Sequence, residues 1–301
     1  MRNLPCVRAL GFGLLTCIAA VSQVKADGFT FSNGVFTSFN IPGLNGTVPT
    51  AINNLGQIVG SDGNENIGFV YQNGNSTLLS PLLNGSIRPV GINDSGTIVG
   101  NQLIPGHGFS AFLDTGGTFT TLPVPFAVAT GINNSGQVVG YAGDNLAMSD
   151  AFVYANGSTT YFSQPGATST SFLGISNNDQ ILGHYIDSTG HHHYFIYDFN
   201  SGLVTPLTIP CAVYGLFGLN SHDEVVGGCG ATGLAFEFNY ATNQYTTITV
   251  PNSVDTFVLN INDNGQLVGF DNTVPEPATV SLLALGLGAL LFTRIRRVAH
   301  P

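Results

Sequence analysis

One ten-residue phrase, Ala51-Ile52-Asn53-Asn54-Leu55-Gly56-Gln57-Ile58-Val59-Gly60, occurs six times in this 301-residue chain, restarting at Gly91, Gly131, Gly174, Gly218 and Asn260. The starts lie 40, 40, 43, 44 and 42 residues apart. A near-constant period of that length means that one supersecondary unit is repeated and stacked on its neighbours. A second phrase, a Phe usually paired with another aromatic and followed by a turn, also occurs six times: Phe29-Thr30-Phe31, Phe69-Val70-Tyr71, Phe112-Leu113-Asp114, Phe152-Val153-Tyr154, Phe195-Ile196-Tyr197 and Phe236-Glu237-Phe238. Turns such as Asn33-Gly34, Asn73-Gly74 and Asn156-Gly157 follow, and then a Thr-rich run that ends near Pro.

Each unit therefore reads as four short strands joined by tight turns. The turn inside the first phrase holds Gly56, Gly96, Gly136 and Gly265 in four copies and Asp179 and Asp223 in two. Both residue types tolerate the positive φ that a left-handed turn position needs. The apolar pair Ile58-Val59 and its equivalents predict a strand buried on both faces, and the glycine that closes the phrase predicts a close backbone approach.

Four strands in about 42 residues is the size of a propeller blade. An open β-solenoid is the rival, and phasing separates the two. The chain begins with the second half of a unit (Phe29 to about Pro49) and ends with the first half of one (about Val254 to Asp271). A ring has a reason to split a unit between its ends, because pairing the terminal strands inside one blade locks closure and hides the sheet edges. The expectation is an all-β, six-bladed β-propeller of four-stranded repeats, with one composite blade and a short C-terminal hydrophobic helix. The units resemble the HAF repeats of bacterial extracellular proteins, on Ser110-Ala111-Phe112, Asp150-Ala151-Phe152, His193-Tyr194-Phe195 and Leu234-Ala235-Phe236. Only His193 matches the histidine of that triplet, so the resemblance implies export and repeat architecture rather than a shared histidine function.

The two ends read differently from the repeats. Arg2 and Arg8 flank the start of an apolar stretch from Ala9 to Val21, and Val24-Lys25-Ala26 offers a small-x-small cleavage site, so residues 1–26 read as a secretory signal peptide. At the other end, Val274-Pro275-Glu276-Pro277 precedes an apolar run and then Arg294, Arg296 and Arg297. This order resembles the PEP-CTERM sorting signal, which implies an exosortase as processing partner. The run from Thr279 to Thr293 would make a helix of about 22 Å, short against a hydrocarbon core of about 30 Å, which suits transient insertion in the inner membrane before cleavage. Three segments follow: 1–26, a repeat domain over 27–273, and a sorting tail over 274–301.

Within the repeat domain Arg88 faces sixteen acidic residues, a net charge of −15. Such a field repels nucleic acid and excludes DNA or RNA as a partner. Cys211 and Cys229 are an even pair in an exported domain, and a disulfide between them is expected. Chemistry-bearing residues are sparse. His184, Asp187, His191 and His193 are weak candidates for a Zn²⁺ or Cu²⁺ site, with a solvated polar loop as the plainer account. The Asn-rich turns, such as Asn260-Ile261-Asn262-Asp263-Asn264-Gly265, echo a Ca²⁺ loop but lack its first Asp and closing Glu, and read as tight hairpin turns. Asp94, Asp223 and Asp263 are turn residues by position, and no nucleophile motif or cofactor motif is present. Tyr161, Tyr185, Tyr194, Tyr214 and Tyr245 could instead line a sugar-binding mouth. The expected function is that of an exported, exosortase-sorted protein of the cell surface or exopolysaccharide matrix, structural or interactive rather than catalytic, with no cofactor and extracellular polysaccharide as a partner. The alternatives are a lectin-like propeller that binds a glycan or small ligand and, behind it, a secreted glycan-active enzyme.

Overall fold

The computed structural model describes residues 26–79, 86–104, 108–143, 149–230, 234–251 and 253–273, and every regular element among them is a β-strand. The expected C-terminal helix, and all of the expected signal peptide but Ala26, lie outside the described residues. The composite blade joins β1 (Ala26–Ser32) and β2 (Val35–Phe39) to the last two strands of the chain. The first blade holds β3 (Val48–Ile52), β4 (Ile58–Ser61), β5 (Gly68–Gln72) and β6 (Asn75–Leu79). The second holds β7 (Ser86–Ile92), β8 (Ile98–Ile104), β9 (Gly108–Thr115) and β10 (Thr118–Thr121). The third holds β11 (Ala127–Ile132), β12 (Val138–Ala142), β13 (Asp150–Ala155) and β14 (Ser158–Phe162). The fourth holds β15 (Ala167–Ile175), β16 (Gln180–Asp187), β17 (His192–Asp198) and β18 (Val204–Leu207). The fifth holds β19 (Val213–Leu219), β20 (Glu224–Cys229), β21 (Leu234–Asn239) and β22 (Gln244–Ile248). β23 (Ser253–Ile261) and β24 (Leu267–Thr273) complete the sixth, whose strand order is β2-β1-β24-β23. The described residues form a six-bladed β-propeller closed by pairing their first two strands with their last two.

The repeated phrases explain why the blades stack. Each apolar pair of the second strand sends one side chain to each neighbouring interface. Ile58 packs with the composite blade's Val268 while Val59 packs with Ile92 and Ile98 of the second blade. Val138 and Val139, Ile181 and Leu182, and Val225 and Val226 divide in the same way. The core is thus a circle of six apolar clusters, one at each interface. Burying a side chain of this size contributes about 1.5–3 kcal/mol, so the continuous apolar pair is what holds adjacent blades together.

The closing glycine of each phrase lies directly opposite the buried Phe of the third strand: Gly60 faces Phe69, Gly100 Phe112, Gly140 Phe152, Gly183 Phe195, Gly227 Phe236 and Gly269 Phe29. The ring lies across the bare glycine, which is the close approach that the sequence anticipates. The turn slot takes positive φ in all six copies, from 69° to 79° at the glycines and 65° and 63° at Asp179 and Asp223. A feature without a sequence signature is a β-bulge in every innermost strand, at Thr50, Val90, Thr130, Leu173, Phe217 and Leu259. Two of these residues serve the seams directly. The Thr50 hydroxyl donates to the Pro89 carbonyl at 2.8 Å, and that of Thr130 to the Phe172 carbonyl at 2.9 Å.

The composite blade carries an internal conflict. Asp27 of β1 sits directly opposite Asp271 of β24, and Asp271 is only 1% exposed, with one carboxylate oxygen lacking any hydrogen-bond partner. Burial, and then repulsion by Asp27, raise the Asp271 carboxyl above its usual range. A raised folded-state value means that the native state binds the proton more tightly than the unfolded chain does. The stability it contributes is therefore full below the unfolded value near ~3.9 and lost as pH rises through the folded value. Asp271→Asn is expected to stabilise the domain at pH 7 by on the order of 1–2 kcal/mol, and the gain should vanish in acid. Urea unfolding of both proteins across pH 3.5–7 checks this, and a gain independent of pH would contradict it.

Candidate functional site

Two places gather polar side chains: the mouth of the central channel and the lower end of the fourth blade. At the mouth, the residue after the first Asn (Ser176 in the fourth blade) of each turn accepts a hydrogen bond from its counterpart in the preceding blade. The backbone N–H of Asn54 donates to Asp94 Oδ1 at 2.8 Å, Asp94 to Asn134 at 2.8 Å, and Asn134 to Asn177 at 2.8 Å. Asn177 then donates to Ser221 Oγ at 3.1 Å, Ser221 to Asp263 at 2.8 Å, and Asp263 back to Asn54 at 2.8 Å. Six blades close one circle.

A second circle lies just beneath. The side-chain amides of Asn53, Asn93, Asn133, Asn220 and Asn262 each donate to a backbone carbonyl of the next blade, at 2.8–3.4 Å. The fourth blade has Ser176 at this position. Its hydroxyl stays with Asn178 and Gln180 of its own turn, and the Asn178 amide reaches the Ser221 carbonyl at 3.4 Å instead. The Asn-rich turns are hairpin turns, as their sequence suggests, but they also fasten blade to blade. The signal was present in the repeat: all six residues after that position carry a side-chain oxygen.

Asp94 and Asp263 are occupied within this mouth. Asp94 Oδ2 accepts from the amides of Asn54 at 3.1 Å and Asn134 at 2.6 Å, and Asp263 Oδ2 from those of Asn54 at 3.1 Å and Asn177 at 2.7 Å. Burial pushes the Asp263 carboxyl up, but the hydrogen bonds from Asn177, Ser221 and Asn54 outweigh it and hold the group below its usual range. Residues of the two circles, with Ile52, Ile92, Ile132, Ile175, Leu219 and Ile261 of the innermost strands, line a cavity of about 60 Å³ at this mouth. That volume admits a few water molecules.

The four weak metal candidates divide between the two faces of the fourth blade, because strand side chains alternate. His184 stands opposite Tyr194 and Tyr185 opposite His193. His184 Nε2 lies 2.8 Å from His192 Nδ1 on one face, while His193 Nε2 lies 2.9 Å from Asp187 Oδ2 on the other. His191 Nδ1 is 3.8 Å from the same carboxylate oxygen and 2.7 Å from the Thr189 hydroxyl. Hairpin geometry brings His184 to His192 rather than to His193. Among the described residues no three His, Cys, Asp or Glu side chains form a metal-holding group. Burial, with added repulsion from His192 and His193, lowers the His184 imidazole to about 4. Hydrogen bonds from Thr189, His193 and the His191 backbone hold Asp187 far below the usual carboxylate range.

Beside this cluster a cleft of about 550 Å³ takes in residues from both faces of the fourth blade and from the start of the fifth. Tyr185, Tyr194 and Tyr214 line it, with His192, His193 and Gln164. Tyr161 and Tyr245 lie elsewhere: Tyr161 is exposed on β14, and Tyr245 stacks on Phe236. Cys211 and Cys229 form a disulfide with Cα atoms 6.0 Å apart. It ties the residues leading into β19 to the end of β20, at the cleft wall.

Residues 273–297 match the PEP-CTERM protein-sorting motif, which marks an exported chain for sorting at the membrane by an exosortase. No curated protein matches the sequence. Among solved structures, a putative TolB from Agrobacterium tumefaciens superposes with a TM-score of 0.63 at 10% identity, covering 84% of this chain and 100% of that one. TolB from Acinetobacter baumannii gives 0.55 at 13% identity, over 75% of this chain and 64% of that one. A chain of a nidogen/laminin complex gives 0.55 at 11% identity, over 81% and 98%. At such identities the likeness is one of fold alone.

Proposed function

We propose that this chain is a cell-surface or extracellular-matrix propeller of the HAF-repeat kind that acts as a structural or interaction module without catalysis. Its precursor has three parts: a signal peptide over 1–26, the repeat domain over 27–273 and a sorting tail over 274–301. The single observation that carries the reading is the sorting motif at residues 273–297, which follows directly on the last strand of a closed ring. A net charge of −15 over 27–273 keeps the domain soluble and away from polyanions unless divalent cations bridge them.

Processing is the direct test. Intact-mass measurement on protein secreted by the native host is expected to show the tail removed near Pro275–Ala278. A full-length species, stably embedded in the inner membrane, would overturn the sorting reading. The second reading, a lectin-like propeller, is favoured by one observation, the aromatic cleft on the fourth blade.

A further inference from the structure

We propose that the cleft at the lower end of the fourth blade is a binding site for an uncharged saccharide. The proposal deepens the interaction role above and rests on that reading only for its extracellular setting.

The strongest observation is the way Tyr214 is presented. The register of β19 against β20 slips between Val213 and Gly215, so Tyr214 is the extra residue of a β-bulge. A bulge turns a side chain away from the regular alternation. Here it leaves Tyr214 68% exposed while the residue lines the cleft. Gly228, on the neighbouring strand, gives the ring a bare floor, with Tyr214 Cδ1 3.8 Å from the space a β-carbon would fill. The Cys211–Cys229 disulfide fixes the same corner. An exposed tyrosine on a strand pinned in this way is a rigid flat platform, and its ordering costs little entropy on binding.

The fourth blade adds a second aromatic pair to the lining. Tyr185 and His193 stack with ring centroids 4.7 Å apart, and Asp187 holds His193 in place at 2.9 Å. Gln164 adds an amide to the lining.

The lining decides the chemical class. Among the described residues it contains no Asp, Glu, Lys or Arg, so a charged ligand finds no carboxylate, ammonium or guanidinium partner in that lining, and the domain's negative field repels anions. Flat aromatic faces with hydroxyl, imidazole and amide groups at their edges match a sugar ring, which has apolar C–H faces and a polar rim.

The test is affinity electrophoresis of the full-length chain, purified in mild detergent, through gels cast with a neutral glucan, a galactomannan, a xyloglucan or the polyanion alginate. At least one neutral polysaccharide is expected to retard the protein. Tyr214→Ala should weaken that binding at least tenfold without moving the thermal midpoint. Tyr161→Ala, at a tyrosine that is also exposed but lies on β14 outside the cleft, should leave it unchanged. Absence of retardation by every neutral polysaccharide overturns the proposal. So does binding to alginate alone, or binding that Tyr214→Ala leaves intact. Each of these outcomes is independent of whether the tail is cleaved, so the site and the sorting reading fail separately.

Discussion

Gly140→Ala is expected to destabilise the domain by on the order of 3 kcal/mol, lowering the thermal midpoint by about 6–12 °C for a domain of this size. A β-carbon at position 140 would fall inside the contact radius of the Val128 carbonyl oxygen, and 3.0 Å from both the Ala129 Cα and the Phe152 ring. Backbone on one side and a fully buried ring on the other leave nothing able to yield. Gly174→Ala is the control, since a β-carbon there meets nothing within 4 Å, and its effect should stay within about 1 kcal/mol. Equal losses from the two substitutions in urea unfolding would show that the Phe-on-glycine contact is not what makes the closing glycine necessary.

Removal of residues 26–39 should do more. β1 is hydrogen-bonded to β24 along Ala26–Phe31, and Phe29 and Phe39 are buried in the clusters on either side of the composite blade. Their loss bares one edge of β24 and opens two interfaces together, and in a ring every blade leans on both neighbours. The expected result is a broad, shallow denaturation profile in place of one sharp transition. In an open stack the same deletion would cost about one repeat's share of stability and leave the rest cooperative. That outcome would mean that ring closure contributes little to cooperativity.

The architecture was legible because the informative residues repeat. The apolar pairs, the closing glycines and the turn slot filled by Gly or Asp each recur six times, and the split unit announced the composite blade. The bulges were not legible. Thr50, Val90 and Leu173 share no chemistry that marks an inserted residue, and the slip exists only when two strands are paired. Register defeated the histidine reading for the same reason. His184 and His193 are close in sequence, but the turn from Asp187 to His191 sets His193 opposite Tyr185, and alternation then sends the two imidazoles to opposite faces. The channel-mouth circle lies between these cases. Its oxygen-bearing position was visible in every copy, but an acceptor facing the next blade has meaning only once the blades form a ring.

The order β2-β1-β24-β23 also determines how the domain would bear mechanical load. Whatever follows Thr273 pulls along β24, which is bonded to β23 on one edge and to β1 on the other. Ladder hydrogen bonds lie across the strand direction, so a pull along the strand shears two ladders at once instead of peeling one open. A tether at the C-terminus therefore grips the ring through a strand held on both edges. The first strand of the domain takes half of that grip, so a chain still tethered by its tail resists extraction only after its N-terminal end has folded back into place.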